Sequence, residues 1–217
     1  MVAVAGAATT TSSSFLETER LILRRFTESD ADNLVELDSD PEVMRFLSGG
    51  QPTPREIVES VVLPRFLRFY ERFDGLGHWA AVEKSSGEFV GWFGLRPRED
   101  SPPDTLELSY RLQRSVWRKG YATEGARALI RKGFTELGMR RVQATTYEHN
   151  VASRRVMEKA GMTLERSYRP TPEELAAAFT WVSASEEVWD GEDVVYALER
   201  SAWERVETAR TAVHPSP

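Results

Sequence analysis

The sequence contains no cysteine, and this absence excludes several kinds of chemistry. A chain without thiols has no disulfides, no cysteine-ligated zinc and no cysteine nucleophile to carry a covalent intermediate. Such a composition suits a reducing compartment, so we expect a cytoplasmic protein. Histidine is scarce as well. His78, His149 and His214 are scattered without the spacing of metal ligands, so we expect no metal site.

Long apolar runs and long basic blocks are also missing. Because no apolar run reaches about 18 residues, no membrane-spanning helix is expected. The formal net charge is −6, and the pairs Arg140-Arg141 and Arg154-Arg155 are only local doublets. This balance argues against direct binding of nucleic acid. At 217 residues with 41% hydrophobic content, the chain is long enough to bury one full core.

Both ends have compositions typical of unstructured segments. Residues 1–14 combine small apolar residues with a run of Thr and Ser, and they lack the basic start of a secretory signal. We expect a disordered leader over 1–14 and a disordered tail over 207–217. Since no repeat or long linker lies between them, residues 15–206 are expected to form a single domain.

Between these ends, the periodicity predicts the order β-α-α-β-β-β-α-β-α-β, followed by an insertion and a last strand. The pair Asp40-Pro41 is expected to end the first helix. Thr53 is expected to cap the second helix, with Pro54 in its first turn. Residues 170–188 form the insertion, which we interpret as an extra helix or a lid. The order predicts a mixed sheet flanked by helices.

The most informative segment reads Trp117-Arg118-Lys119-Gly120-Tyr121-Ala122-Thr123-Glu124. It follows an extended segment over 105–112 and begins a helix with one apolar stripe. Free N–H groups at a helix start bind anions, and a glycine such as Gly120 lets the backbone approach a phosphate closely. The spelling is neither that of a P-loop nor that of a dinucleotide fold. The segment predicts a pyrophosphate site, although an ordinary helix start would also read this way.

A second segment, Asn150-Val-Ala-Ser153-Arg154-Arg155-Val-Met-Glu-Lys159-Ala-Gly161-Met162, follows about 30 residues later. Together the two segments resemble motifs A and B of the GNAT acetyltransferase superfamily, and they are most similar to its RimJ/RimL-like branch. That branch reads W-G-K-G-Y-A-T-E-A and N-x-x-S-x-R-V-x-E-K-x-G-F. Residues 16–24 resemble its opening T-E-R-L-x-L-R strand, and residues 189–198 resemble its closing D-G-x-x-x-D-x-x-Y-x-L strand. Trp117 departs from the wider [Q/R]-x-x-G-x-[G/A] pattern, and the 170–188 insertion is longer than usual.

The resemblance implies an α/β (α+β) fold with one domain. Its sheet would be mixed, mostly antiparallel and of about six to seven strands, flanked by helices, with a V-shaped splay between central strands. The implied activity is acetyl-CoA-dependent N-acetylation, with the acetyl group moving directly from coenzyme A to a primary amine. That amine would belong to a protein N-terminus or to a small molecule. A non-catalytic acyl-CoA-binding regulatory module is the alternative. The acceptor and the oligomeric state, including a homodimer, stay open.

By the same resemblance, residues of both segments would bind the cofactor. The Leu112 N–H would serve the thioester oxygen, and Asn150 would bind the pantetheine amides, although Asn150 is also a good helix cap. Arg154 and Arg155 would reach the ribose phosphate or simply lie on a solvated surface. The complete set of predicted cofactor-binding residues is Leu112, Gln113, Trp117, Arg118, Lys119, Gly120, Tyr121, Ala122, Thr123, Asn150 and Arg155.

Two residues are predicted to be catalytic. Alternation in Leu106-Glu107-Leu108 places Glu107 on the face opposite its apolar neighbours, where it would act as a base or lie as a plain surface glutamate. Ser153 would lie near the sulfur as a proton donor, or only occupy the first turn of its helix. An aromatic set is expected to line an acceptor pocket or to form core: Phe66, Phe69, Tyr70, Phe73, His78 and Trp79.

Overall fold

One sheet of eight strands runs through the part of the chain that the computed structural model describes, residues 14–97, 101–171 and 191–213. Its order is β1-β2-β3-β4-β5-β6-β8-β7, and every pair is antiparallel except β5–β6. The mixed, mostly antiparallel sheet is confirmed, with one strand more than expected. The strands are β1 Ser14–Glu17, β2 Leu21–Arg25, β3 Gly77–Glu83, β4 Phe89–Pro97, β5 Thr105–Leu112, β6 Arg141–Tyr147, β7 Thr163–Tyr168 and β8 Asp193–Glu199.

Helices cover both faces of this sheet. The described ones are α1 Ala31–Ser39, α2 Pro41–Ser48, α3 Arg55–Ile57, a π-helical turn over Val58–Val62, α4 Leu63–Arg72, α5 Tyr121–Thr135, α6 Val151–Lys159 and α7 Arg200–Val213. The larger core joins one face to α5 and α6, where Phe134 and Met157 are buried. A smaller core joins the other face to α1 and α4 through Leu34, Leu37 and Phe66. Alternate residues of each central strand therefore face different cores.

The first half of the chain differs from the sequence prediction at two helix starts. Asp40-Pro41 ends α1 as expected, but the Asp40 side chain also accepts from Glu42 N–H at 2.9 Å and begins α2, which the pattern did not show. Thr53 is not a helix cap. Its hydroxyl donates to Asp38 at 2.7 Å instead, and α3 begins later. A buried carboxylate on α1 thus competes successfully for this hydroxyl.

The expected boundaries need correction at the ends. Ser14 belongs to β1, and α7 continues to Val213, so the prediction of a disordered tail is wrong for residues 207–213. Residues 1–13 and 214–217 lie outside the described residues, as does most of the 170–188 insertion. Within the described ranges, no helix is long and apolar enough to cross a membrane.

The sheet opens between its two parallel strands. β5 and β6 pair at only three positions, and the last of these joins Glu107 to Gln143. From there, β5 continues to Leu112 alongside β4, while β6 continues to Tyr147 alongside β8. Each strand keeps its outer partner and loses its inner one. The predicted V-shaped splay is therefore present.

Candidate active site

Backbone groups of β5 line one side of the opening. The Gln113 N–H donates to the carbonyl of Val90 on β4 at 3.0 Å. Hydrogen-bonded and non-hydrogen-bonded positions alternate in an antiparallel pair, so Leu112, opposite Gly91, directs its N–H and C=O away from β4 and into the opening. The Leu112 carbonyl accepts from Trp117 Nε1 at 2.8 Å. The Leu112 N–H therefore stays outside the pairing with β4 and faces the opening.

Helices α5 and α6 begin at the same edge of the sheet. Because β5 and β6 are parallel, their carboxyl ends meet at the opening, and the chain leaves each strand towards a helix start. Ligands of open α/β sheets bind at this kind of edge. The opening is therefore bordered by two helix N-termini.

The loop before α5 has a left-handed backbone at two positions, with φ of 61° at Arg118 and 87° at Gly120. The first intrahelical bond joins the Glu124 N–H to the Gly120 carbonyl at 3.0 Å. The N–H groups of residues 121–123 thus precede the helical ladder and carry the positive end of the helix dipole. Backbone donors at Tyr121, Ala122 and Thr123 are arranged for an anion.

The side chains around this helix start have different surroundings. Arg118 and Lys119 are exposed, and Trp117 is 41% exposed. The buried Tyr121 side chain instead donates its hydroxyl to the Glu83 carboxylate, and this hydrogen bond raises the pKa of Tyr121. Of the predicted set, Tyr121 therefore offers only its backbone to an anion.

A hydrogen-bond network that sequence reasoning missed fixes the loop in place. The Glu124 carboxylate accepts from Thr18 Oγ1 at 2.5 Å and from Arg20 Nε at 2.6 Å. Arg20 Nη1 also donates to the Lys119 carbonyl at 2.8 Å, and its Nη2 lies 3.4 Å from where a Cβ on Gly120 would be. Arg20 and Glu124 both belong to segments that resemble family motifs, but no sequence signal shows that these two residues pair. Arg20 places a cation beside the predicted pyrophosphate position.

At the start of α6, Asn150 is a helix cap and still has free donors. Its Oδ1 accepts from the Ser153 N–H at 3.1 Å, while its Nδ2 has no protein partner in the described part of the chain. Arg154 is half-buried and donates to the Glu148 carbonyl at 3.0 Å and to the Tyr196 hydroxyl at 3.2 Å. Arg155 is exposed. Of the two arginines, Arg155 has the more accessible charge.

A tyrosine that the sequence did not indicate joins Ser153 across the opening. The Tyr110 hydroxyl of β5 lies 3.0 Å from Ser153 Oγ and donates to the Ser153 carbonyl at 3.2 Å. Burial raises the pKa of Tyr110 to about 12, against a smaller opposing effect of the bond to Ser153. The phenol therefore stays protonated at neutral pH. Two hydroxyls lie together on the α5–α6 side of the sheet.

Glu107 lies on the opposite side of the sheet from these hydroxyls. Its neighbours Leu106 and Leu108 belong to the larger core, whereas the Glu107 side chain forms an ion pair with Arg96, its cross-strand partner on β4. Glu107 is only 7% exposed, so it is not a plain surface glutamate. Glu107 and Ser153 do not meet. They face the sheet opening from its two sides.

The aromatic set is divided between the two faces of the sheet. Trp79 stacks on Phe15 at 4.0 Å in the larger core, so it does not line a pocket. His78 stacks on Phe66 at 4.0 Å on the Glu107 face, with Trp92 at 5.4 Å. Burial, followed by the nearby Arg96, lowers the pKa of His78 well below its ordinary value. His78 is therefore a neutral imidazole at neutral pH.

Comparison with known proteins identifies this arrangement. Residues 20–163 match the acetyltransferase (GNAT) domain family. The chain belongs to the GNAT acetyltransferase family. GNAT proteins use acetyl-CoA, and relatives of this chain are named acetyltransferases, so the protein is an acyltransferase. Among the described residues, no group of three or more histidine or acidic side chains could hold a metal ion.

The names of one relative and of two solved structures with the same fold refer to different acceptors. The FsC-acetyl coenzyme A-N(2)-transacetylase of Aspergillus fumigatus is 36% identical over 155 residues. The matched region covers 68% of this chain and 64% of that protein, which is less than two thirds of its length. RimL, an alpha-N-protein acetyltransferase solved with coenzyme A, superposes with a TM-score of 0.69 at 18% identity, covering 88% of this chain and 99% of RimL. The aminoglycoside acetyltransferase AAC(6')-Ib, solved with coenzyme A, superposes with a TM-score of 0.65 at 22% identity. This superposition covers 86% of this chain and 99% of AAC(6')-Ib. The two solved structures share the fold.

Proposed function

We propose that the protein transfers the acetyl group of acetyl-CoA directly to a primary amine inside the opening between β5 and β6. The observation that carries the proposal is the Leu112 N–H, which faces an opening bordered by the N-termini of α5 and α6. An extended amide-containing arm needs such a strand edge, and a diphosphate needs such a helix start. Both are present at one edge of one sheet.

Cofactor binding is assigned mainly to backbone groups. The diphosphate lies over Gly120 and the N–H groups of residues 121–123, with Arg20 beside them. The arm runs along β5 past Leu112 and Gln113, and Asn150 Nδ2 donates to one of its amides. Arg118, Lys119 and Arg155 are exposed cations that attract the remaining phosphate. Trp117 holds the end of β5 through its bond to the Leu112 carbonyl.

The transfer itself uses both faces of the sheet. The amine enters on the face of Glu107, which accepts its proton, directly or through water, as nitrogen attacks the acetyl carbon. The oxygen that gains charge accepts from the Leu112 N–H. The carbon–sulfur bond then breaks towards the other face, where Ser153 and Tyr110 supply a proton to the thiolate. Each proton transfer contributes about 10²–10⁴-fold to the rate.

Screening for thiol release tests the proposal. The chain is mixed with acetyl-CoA and a panel of amines that includes peptides, polyamines and aminoglycosides, and free thiol is followed over time. We expect release that depends on one class of amine and an acetylated product by mass spectrometry. A chain that binds coenzyme A in calorimetry but releases no thiol with any amine would instead be a binding module.

A further inference from the structure

The acceptor side of the opening is lined by polar side chains from two neighbouring strands. Pairing in the sheet aligns Arg96 with Glu107, Gly94 with Ser109, and Trp92 with Arg111. Because residues two apart on a strand share a face, Glu107, Ser109 and Arg111 form one row along β5. The row begins where β5 leaves β6 and ends beside Leu112. An amine that reaches the thioester passes over this row.

Several donors on this face of β4 and β5 lack a partner among the described residues. The Nε atoms of Arg96 and Arg111 and the Oγ of Ser109 are buried, and none has a hydrogen-bond partner among residues 14–97, 101–171 and 191–213. Arg111 uses Nη1 to hold Asp38 at 2.5 Å, whereas its buried Nε makes no hydrogen bond with any described residue. A buried donor without a partner is costly, and no described residue accepts from these three donor atoms. The unmet groups call for a ligand rich in oxygen.

Packing keeps these groups in place. A Cβ at Gly94 would lie 2.5 Å from Ser109 Oγ and 2.8 Å from the His78 ring, so the glycine makes room for both. The Arg111 guanidinium lies over the Trp92 ring at 5.4 Å. The row is therefore a packed surface, with donors in fixed positions.

Among the described residues, this surface carries more positive than negative side chains, although the whole chain is acidic. Three guanidinium groups, those of Arg65, Arg96 and Arg111, act together on the neutral His78. They outnumber the two carboxylates that pair with them, Glu107 and Asp38. A positively charged ligand brought to this face would be repelled, whereas a negatively charged ligand would be attracted.

We propose that the acceptor is a small amine that carries a carboxylate, an amino-acid-like compound, and that Arg111, with Arg96, binds that carboxylate. The inference rests on the proposed function and names its substrate class. Charge-assisted hydrogen bonds from a guanidinium to a carboxylate are strong and directional, which suits selection by this surface. Polyamines and aminoglycosides, which carry several positive charges, are excluded by the same charges.

Matched pairs of amines test the proposal. Each amino acid is compared with the amine that remains after loss of its carboxylate: lysine with cadaverine, ornithine with putrescine, tyrosine with tyramine. A dipeptide is also compared with its C-terminal amide. Thiol release gives kcat/KM for each, expressed per free amine at one pH. We expect the carboxylate-bearing member of at least one pair to be favoured by about tenfold or more, as one charge-assisted hydrogen bond allows.

A conservative variant checks the role of Arg111. Arg111→Lys keeps a cation next to Asp38 but removes the Nε–H, so the preference for the carboxylate should fall about tenfold. Arg68→Lys makes the same substitution on the exposed surface of α4 and should leave the preference unchanged. Calorimetry with coenzyme A should show the same affinity in both variants, which verifies that the fold and the cofactor site are intact.

The outcomes separate this inference from the proposed function. If amines are acetylated but the decarboxylated members react equally well or better, the substrate class is wrong while the transferase activity stands. If Arg111→Lys keeps the full preference, the carboxylate does not bind there. If no amine reacts at all, the proposed function fails and this inference fails with it.

Discussion

At the residue scale, Gly120 has the most sharply defined expectation. It has a φ of 87° and lies at the first turn of α5, where we place the diphosphate. Gly120→Asp would put a Cβ and a negative charge on that position, so we predict that acetyl-CoA affinity falls at least about 100-fold. Titration calorimetry on the folded variant measures the acetyl-CoA affinity.

The control for this prediction is another left-handed glycine. Gly87 has a φ of 76° in the turn between β3 and β4, and a Cβ there would meet nothing within 4 Å. Gly87→Asp carries a similar backbone strain of about 1–2 kcal/mol, but its side chain points into open space. If both variants lose the same affinity, strain rather than the diphosphate position is responsible, and the assignment fails.

The pair of hydroxyls gives a second prediction at this scale. Ser153→Ala should lower kcat by about 10²-fold and leave acetyl-CoA affinity nearly unchanged, because a proton donor to the leaving thiolate acts mainly in the transition state. Tyr110→Phe removes the adjacent hydroxyl and should lower kcat less. Steady-state kinetics with thiol detection distinguish the roles. A rise in KM for acetyl-CoA at constant kcat would indicate a binding role instead.

At the element scale, the start of α5 depends on the turn before β2. Arg20 and Thr18 hold Glu124, and Arg20 also holds the Lys119 carbonyl. We predict that Arg20→Gln raises KM for acetyl-CoA about tenfold while kcat stays within about twofold, because the loop and its cation are lost but the reacting groups are not.

A surface arginine provides the comparison for Arg20. Arg55 forms ion pairs with Asp32 at 2.8 Å and Glu59 at 3.0 Å on the surface. Arg55→Gln loses two ion pairs, where Arg20→Gln loses one, and should change neither constant, since exposed pairs contribute little. Equal changes in both variants would show that Arg20 acts through general stability.

Elements with strong local signals were predictable from the sequence. Asn150 caps α6 as its position indicates, and three strands precede α5 in the predicted order. Helix α2 was missed because Asp40-Pro41 is as good a helix start as a helix stop. Strand β1 was missed because four residues carry too little periodicity, and the last part of α7 because residues 207–217 were taken for a tail.

The site was predictable only where it follows one stretch of chain. The loop before α5 and the cap of α6 are local, so their positions could be inferred. The contacts that complete the site are long-range: Arg20 with Glu124, Tyr110 with Ser153, and Glu107 with Arg96. Strand register and helix docking determine these contacts, and neither is encoded in a short segment.

At the scale of the whole molecule, His78 ties stability to pH. The pKa of His78 is lowered in the folded protein from its ordinary value of 6.5. Once the pH falls below 6.5, the unfolded chain therefore binds more protons than the folded one. The stability that a neutral His78 allows is therefore present above pH 6.5 and is lost on acidification. We predict that the free energy of unfolding falls by up to about 1.4 kcal/mol per pH unit between pH 6.5 and pH 5.

Denaturant titrations at several pH values measure this slope. His78→Gln removes the titrating ring and should flatten the slope between pH 6.5 and pH 5. The exposed His149 is the matched control, and His149→Gln should retain the wild-type slope. Asp30 and Glu124, whose pKa values are lowered from 3.8 and 4.5, act only at more acidic pH. A slope that persists in His78→Gln would assign the acid sensitivity to another group.

The opening between β5 and β6 also bears on how the protein avoids aggregation. Unpaired strand edges recruit strands from other chains, and natural sheets protect such edges. Here the two inner edges diverge inside the molecule with α5 and α6 packed against their strands, while their outer edges stay paired with β4 and β8. The fold thus keeps strand-pairing groups ready for a small extended ligand and shields them from foreign strands.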